Sequence, residues 1–139
     1  MDNTIKIEGL CSLLQVYDMP AALKFYRDIL GFKIIGSSKE GSDEADWVWL
    51  KLNNAEIMLN TAYEKEYKPA TQDEARQAVH ADTSIYFGCP DTDDLYEYLL
   101  TKNIAVNPPV KTGYNFMALY IFDPDGYQLV FHWPIKDEG

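Results

Sequence analysis

The chain has 139 residues, 12 basic against 22 acidic side chains and a formal net charge of −10, with 47% hydrophobic and 24% charged residues. That describes one globular domain, or two small modules sharing a core, and excludes a largely disordered chain. The lack of a basic stripe argues against nucleic acid and anionic membranes as partners, and two cysteines, Cys11 and Cys89, are too few for a disulfide framework or a zinc spacing.

The opening MDNTIKIEGL carries early acidic residues and no long apolar run, so it does not read as a signal peptide. No stretch reaches the roughly 18 apolar residues of a membrane helix. Reduced thiols and a cytoplasmic location are the expectation.

Residues 10–17 (LCSLLQVY) read as a strand. Asp18 follows as an N-cap with Pro20 in the first turn, where its missing N–H does no harm. Ala22, Phe25, Tyr26 and Ile29 then recur at helical spacing until Gly31 stops the helix. Phe32 to Gly36 is a strand; Trp47 to Leu52 and Ala55 to Asn60 are two more, joined by the tight turn Asn53-Asn54. Residues 63–81 are polar and lack a strand pattern; TQDEARQAVH within them is a short helix candidate.

The order then repeats. Thr83 to Cys89 is a strand, and Asp91 opens a helix through Leu95, Tyr98 and Leu99. Ile104 to Val110, broken by proline, reads as an edge strand. Phe116 to Phe122 and Gln128 to Trp133 are strands around the turn Asp123-Pro124-Asp125-Gly126, which has proline second and glycine fourth as a type I turn prefers. Asp18 and Asp91 occupy equivalent places, as do Asn60 and His132. The pattern predicts an α+β fold of two tandem βαβββ modules, at about 5–62 and 82–135, within one domain spanning 1–139.

Alternation divides each strand into two faces. One is aliphatic, with Leu14, Val16, Val48, Leu50, Ile57, Leu59, Phe87, Leu119, Ile121 and Leu129, and should pack under the helices. The other is mixed: Cys11, Leu13 and Gln15; Trp47, Trp49 and Lys51; Glu56, Met58 and Asn60; Ser84 and Tyr86; Phe116 and Tyr120; Gln128, Val130 and His132. That face is too aromatic for solvent and too polar for a dry core. A curved sheet wrapping it around a ligand pocket reconciles both facts; a dimer interface or an ordinary second core is the alternative.

Three segments, LLQVYDMPAALKFYRDILGFKI, AEIMLN and FDPDGYQLVFHW, resemble the vicinal oxygen chelate superfamily, also called glyoxalase/bleomycin-resistance/dioxygenase proteins. The resemblance covers nearly the whole chain. It implies curved mixed sheets around a cupped cavity and a homodimer. In metal-dependent members, one His, Glu or Gln from each of four strands holds a divalent ion. The matching positions here are Cys11, Met58, Ser84 and Val130, a set without the nitrogen or carboxylate donors such an ion requires. A register shift of two residues brings Glu56 or Asn60 and His132 into consideration, but Glu56 and His132 should lie too far apart to share an ion. No catalytic metal and no cofactor are therefore expected.

The individual residues carry modest expectations. His132 reads either as a hydrogen-bonded wall histidine or as a polar ligand contact. His80 reads as a solvent-exposed loop residue. Glu56 should pair with Lys51 across the turn, or attract a cationic ligand. Cys11 reads as a small apolar filler. Asp91, Asp93 and Asp94 complement a helix dipole. Trp47, Trp49, Tyr86, Phe116 and Tyr120 suit a planar or cationic ligand, which makes the chain similar to the bleomycin-resistance branch.

The resulting expectation is a small, partly aromatic or cationic ligand held by Gln15, Trp47, Trp49, Glu56, Met58, Asn60, Ser84, Tyr86, Phe116, Tyr120 and His132, with sequestration of an antibiotic or toxin as the role. The alternative is a metal-dependent lyase, isomerase or dioxygenase of the same superfamily with a relocated metal.

Overall fold

Each half of the chain builds a four-stranded mixed sheet from one parallel and two antiparallel pairings. A computed structural model describes residues 4–136. The first sheet comprises β1 (Ser12–Val16), β2 (Lys33–Ser37), β3 (Trp47–Leu52) and β4 (Ala55–Thr61), in the order β1-β4-β3-β2. The second comprises β5 (Ser84–Gly88), β6 (Val110–Lys111), β7 (Phe116–Phe122) and β8 (Gln128–Pro134), in the order β5-β8-β7-β6. In each module the first strand runs parallel to the last, and the middle pairings are antiparallel. Gln15 pairs with Asn60 as Gly88 pairs with His132, so the repeat inferred from residue spacing is also a repeat of register.

Helix α1 (Met19–Leu23) starts where expected: the Asp18 carboxylate accepts from the Ala21 N–H at 3.0 Å, with Pro20 in the first turn. The segment does not continue as a regular α-helix. Lys24–Ile29 widens into π turns, with Leu30 N–H bonded to the Phe25 carbonyl five residues back. Phe25 and Tyr26 are both buried, as their helical spacing predicts. Helix α3 (Thr92–Thr101) carries Asp93 and Asp94 in its first turn, but the Asp91 side chain makes no capping bond. The proposed edge strand from Ile104 shrinks to Val110–Lys111, because Pro108 and Pro109 remove two ladder donors.

One core joins both modules. Leu14, Val16, Val48, Leu50, Leu59, Leu119 and Leu129 are all essentially inaccessible, as the alternation predicts, and Leu23 and Leu99 from the helices are buried with them. Phe32 of the first module meets Phe87 of the second edge-on, with ring centroids 6.1 Å apart. Between the modules, a short 3-10 turn (Lys65–Tyr67) leads to α2 (Glu74–His80), capped by the Asp73 carboxylate.

A candidate binding face

The mixed faces stand opposite the helices, as predicted, but the two sheets do not close over them within one chain. Leu13, Tyr86 and Tyr120 remain 44%, 52% and 37% exposed. Within one chain the two mixed faces are open platforms.

On the first platform, Leu13, Met58, Trp49 and Gly36 form one cross-strand row, and Gln15, Asn60 and Trp47 form the next. The two indoles lie 6.5 Å apart and tilted by 48°. A Cβ on Gly36 would sit 3.4 Å from the Trp47 ring, so glycine gives that indole room to lie over β2. Asn60 Nδ2 reaches Gln15 Oε1 at 3.5 Å.

The third row places Glu56 opposite Lys51 and Lys51 opposite Lys33. The expected Glu56–Lys51 ion pair does not form among the described residues: both side chains occupy the solvated end of the sheet, where pairing returns little for the side-chain entropy it costs. Burial pushes the Cys11 thiol above its ordinary range, Glu56 pushes it further, and the Trp49 indole pulls the other way. Cys11 is thus not an activated nucleophile. Among the described residues, the buried Trp49 Nε1 has no partner at hydrogen-bond geometry.

On the second platform, His132 is the centre of an aromatic row. Tyr86 meets it edge-on at 4.9 Å, Phe116 lies tilted by 31° at 4.7 Å, and Tyr114 stands 5.2 Å beyond Phe116. Among the described residues the buried His132 Nδ1 lacks a partner. Burial raises the Tyr120 phenol, with Tyr114 and Tyr86 adding to the effect. Ser84 Oγ donates to Gln128 Oε1 at 2.7 Å. Among the described residues, Trp49 and His132 thus each hold one buried polar atom without a partner.

The four residues that the resemblance matches to the superfamily's metal positions offer no donor set that fits a divalent ion. Val130 is inaccessible and offers no donor, Met58 offers only a thioether, Ser84 is engaged with Gln128, and the Cys11 thiol is held protonated. Among the described residues, no group of three or more His, Cys, Asp and Glu side chains is placed to hold an ion.

His80 departs most from expectation. Its ring stacks on Tyr127 with centroids 4.1 Å apart and planes within 10°. His80 Nδ1 lies 2.7 Å from the Asp125 carbonyl and Nε2 lies 3.3 Å from Tyr127 Oη. The Gln72 and Gln77 side-chain amides both donate to the Pro124 carbonyl, at 3.0 and 3.1 Å. The polar linker is therefore a strap tied to the Asp123–Gly126 turn, and a loop reading from composition alone misses that anchorage.

The turn also reaches the first module. The Tyr17 N–H donates to Asp125 Oδ1 at 2.7 Å, and the Gln15 N–H donates to Tyr127 Oη at 3.1 Å. Burial pushes the Asp125 carboxyl up to about 6; the Tyr17 N–H opposes this and the nearby Asp123 charge adds to it.

A largely apolar groove of about 540 Å³ runs between the modules, lined by Phe32, Leu52, Phe87, Phe131 and Trp133 among others and reaching Tyr86 of the second platform. Among the described residues, no helix is long and apolar enough to cross a membrane.

No curated protein matches the chain. Solved structures do. TioX from Micromonospora sp. ML1 is 11% identical with a TM-score of 0.70, over 92% of this chain and 99% of that one. Virulence protein STM3117 from Salmonella typhimurium is 21% identical with a TM-score of 0.66, over 94% of this chain and 100% of that one. An integron cassette protein from the mobile metagenome of V. cholerae is 21% identical with a TM-score of 0.62, over 92% of this chain and 96% of that one. At such identities the likeness is one of fold. The family model for the Glyoxalase/Bleomycin resistance protein/Dioxygenase superfamily matches residues 9–131, and with the doubled βαβββ register it makes this chain a member of that superfamily.

Proposed function

We propose that the chain binds a small, partly aromatic or cationic molecule on its mixed sheet faces without a catalytic metal, as a cytoplasmic homodimer that sequesters an antibiotic or toxin. The observation that carries this reading is the pairing of two aromatic, partly polar platforms with four superfamily metal positions that lack suitable donors. Aromatic faces stack on planar ligands and attract cations, and the net charge of −10 favours a cationic guest over an anionic one. A second copy would cover faces that one chain leaves open. The two free cysteines are consistent with a reducing compartment.

The test is a thermal-shift titration of chelator-stripped protein with zinc, nickel, manganese, cobalt and ferrous ions, then with planar aromatic cations and their neutral counterparts. A ligand at 100 times its dissociation constant raises stability by about 2.7 kcal/mol. We expect a saturable rise with an aromatic cation and none with the ions. A metal-induced rise that Glu56→Gln or His132→Ala removes would overturn this reading in favour of a metal-dependent enzyme with a relocated site.

A further inference from the structure

No residue of the strap, 63–81, is buried, so it docks through polar contacts rather than through a core of its own. These contacts reach both modules. On the first, Lys68 Nζ meets Asp18 Oδ1 at 2.6 Å and lies 4.5 Å from the centroid of the Tyr17 ring, whose Oη donates to the Pro69 carbonyl at 2.7 Å. On the second they converge on one turn. Gln72 and Gln77 donate to the Pro124 carbonyl, His80 Nδ1 meets the Asp125 carbonyl, and the Gln77 carbonyl occupies the space that a Cβ on Gly126 would fill.

The docked strap lies against two buried acids. Asp123 and Asp125 are each 4% exposed. Asp123 accepts from three donors, the Tyr26 hydroxyl and the Asp125 and Tyr127 N–H groups. Asp125 takes the Tyr17 N–H and the Gln72 amide on the same oxygen, Oδ1, at 2.7 and 3.3 Å. Strap and turn enclose a cavity of about 10 Å³ beside it, room for about one water. Asp123 on the same turn and Asp18 at the start of α1 disfavour a charge on Asp125, and His80 on α2 favours it. Arg76 and Asp73 line the same cavity, Arg76 facing the Tyr63 ring and Asp73 engaged in capping α2. Tyr17, Tyr26 and Tyr127 are the phenols around the two acids.

We propose that the strap is a latch between the two modules that tightens on acidification, with Asp125 as the group whose proton closes it. Burial holds the Asp125 carboxyl at about 6 with the strap docked. Once the strap lifts and water reaches the carboxyl, it returns towards its ordinary value of about 4. The docked form therefore binds the proton more tightly. Its extra stability is present below about pH 4 and is lost as pH rises through about 6. The Asp18–Lys68 pair works the other way: the lysine holds the Asp18 carboxyl below its ordinary range, so that contact weakens only under stronger acid. The latch goes beyond the proposed function and does not depend on which ligand binds.

The experiment is peptide-resolved hydrogen exchange of the full chain at about pH 5 and about pH 7.5, expressed as protection factors so that the intrinsic pH dependence of exchange cancels. We expect the strap to be less protected than β3 and β4 at both, and about tenfold more protected at the lower pH than at the higher. Asp125→Asn, which keeps an acceptor for the Tyr17 N–H, should give the same strap protection at both. His80→Gln should leave the pH difference in place. Equal protection of the wild-type strap at the two pH values would overturn the latch. Strap protection equal to that of β3 and β4 would overturn it too, because the strap would then open only with the whole fold. A pH difference that survives in Asp125→Asn, or that His80→Gln alone removes, would overturn Asp125 as the group that carries the proton.

Discussion

Tyr26 Oη donates to Asp123 Oδ2 at 2.6 Å, and both groups are buried. The contact bridges the π-helical stretch of the first module and the β7–β8 turn of the second. Asp123 also accepts from the Asp125 and Tyr127 N–H groups, each at 2.9 Å. Burial raises its carboxyl, and these three donors resist that rise.

Removing the phenol should therefore be expensive. Tyr26→Phe keeps the ring packing and withdraws one donor from a buried carboxylate. A hydrogen bond to a charged group contributes roughly 1.5–3 kcal/mol, and we expect a loss of about 2 kcal/mol in urea unfolding. An unchanged midpoint would show that the bridge contributes nothing.

Asp125 makes stability depend on pH. Its folded-state value of about 6 lies above the ordinary carboxyl value, so the folded chain holds the proton more tightly than the unfolded one. Its contribution is fully present below about pH 4 and is lost as pH rises through about 6. Asp125→Asn keeps the shape and removes the buried charge. The variant should be more stable than wild type at pH 7, by about 2 kcal/mol, and should show a flatter profile between pH 4 and 6. Parallel profiles for the two proteins would refute this assignment.

Gly126 should tolerate no side chain. Its φ is +88°, and a Cβ would lie 2.2 Å from the Gln77 carbonyl oxygen. Gly126→Ala combines backbone strain with a clash against the strap, together worth about 2–4 kcal/mol. Limited proteolysis should then cut within residues 63–81 faster than in wild type. Equal cutting rates would mean that the strap is not held by this turn.

Tyr86 tests the second platform. It is half exposed and stands beside His132, so Tyr86→Ala should barely move the melting temperature. Loss of one aromatic contact, worth about 1 kcal/mol, should weaken binding of a planar aromatic cation roughly fivefold. Unchanged binding would move the ligand off this face.

The fold was legible because three kinds of local signal agree. Strand alternation separated Val48 and Leu50, fully buried, from Trp47 and Trp49 on the open side. Asp18 and Pro20 fixed a helix start, and the Asp123–Gly126 sequence fixed a turn. The π-helical widening after Leu23 leaves no such mark, because nothing in LKFYRDIL departs from an ordinary amphipathic pattern. The strap was illegible for another reason. His80, Gln72 and Gln77 are polar residues whose partners are main-chain carbonyls 45 to 52 residues away, and composition does not encode such partners. Alternation says which residues share a face and is silent on what lies above it.

The parallel closure of each sheet also sets the order in which the chain can fold. Gln15 meets Asn60 across 45 residues, and Ser84 meets Gln128 across 44. The hairpins β3–β4 and β7–β8, in contrast, turn within a few residues. Loop-closure entropy favours the hairpins early and delays the parallel strands. β1 and β5 then join last, and until they do the central strands β4 and β8 are bare edges. Stopped-flow refolding of Leu14→Ala should speed unfolding and leave the folding rate nearly unchanged; a slowed folding limb would place β1 in the nucleus instead. Newly made chains would spend that interval with the edges of β4 and β8 uncovered, a period in which crowding and temperature decide between folding and aggregation.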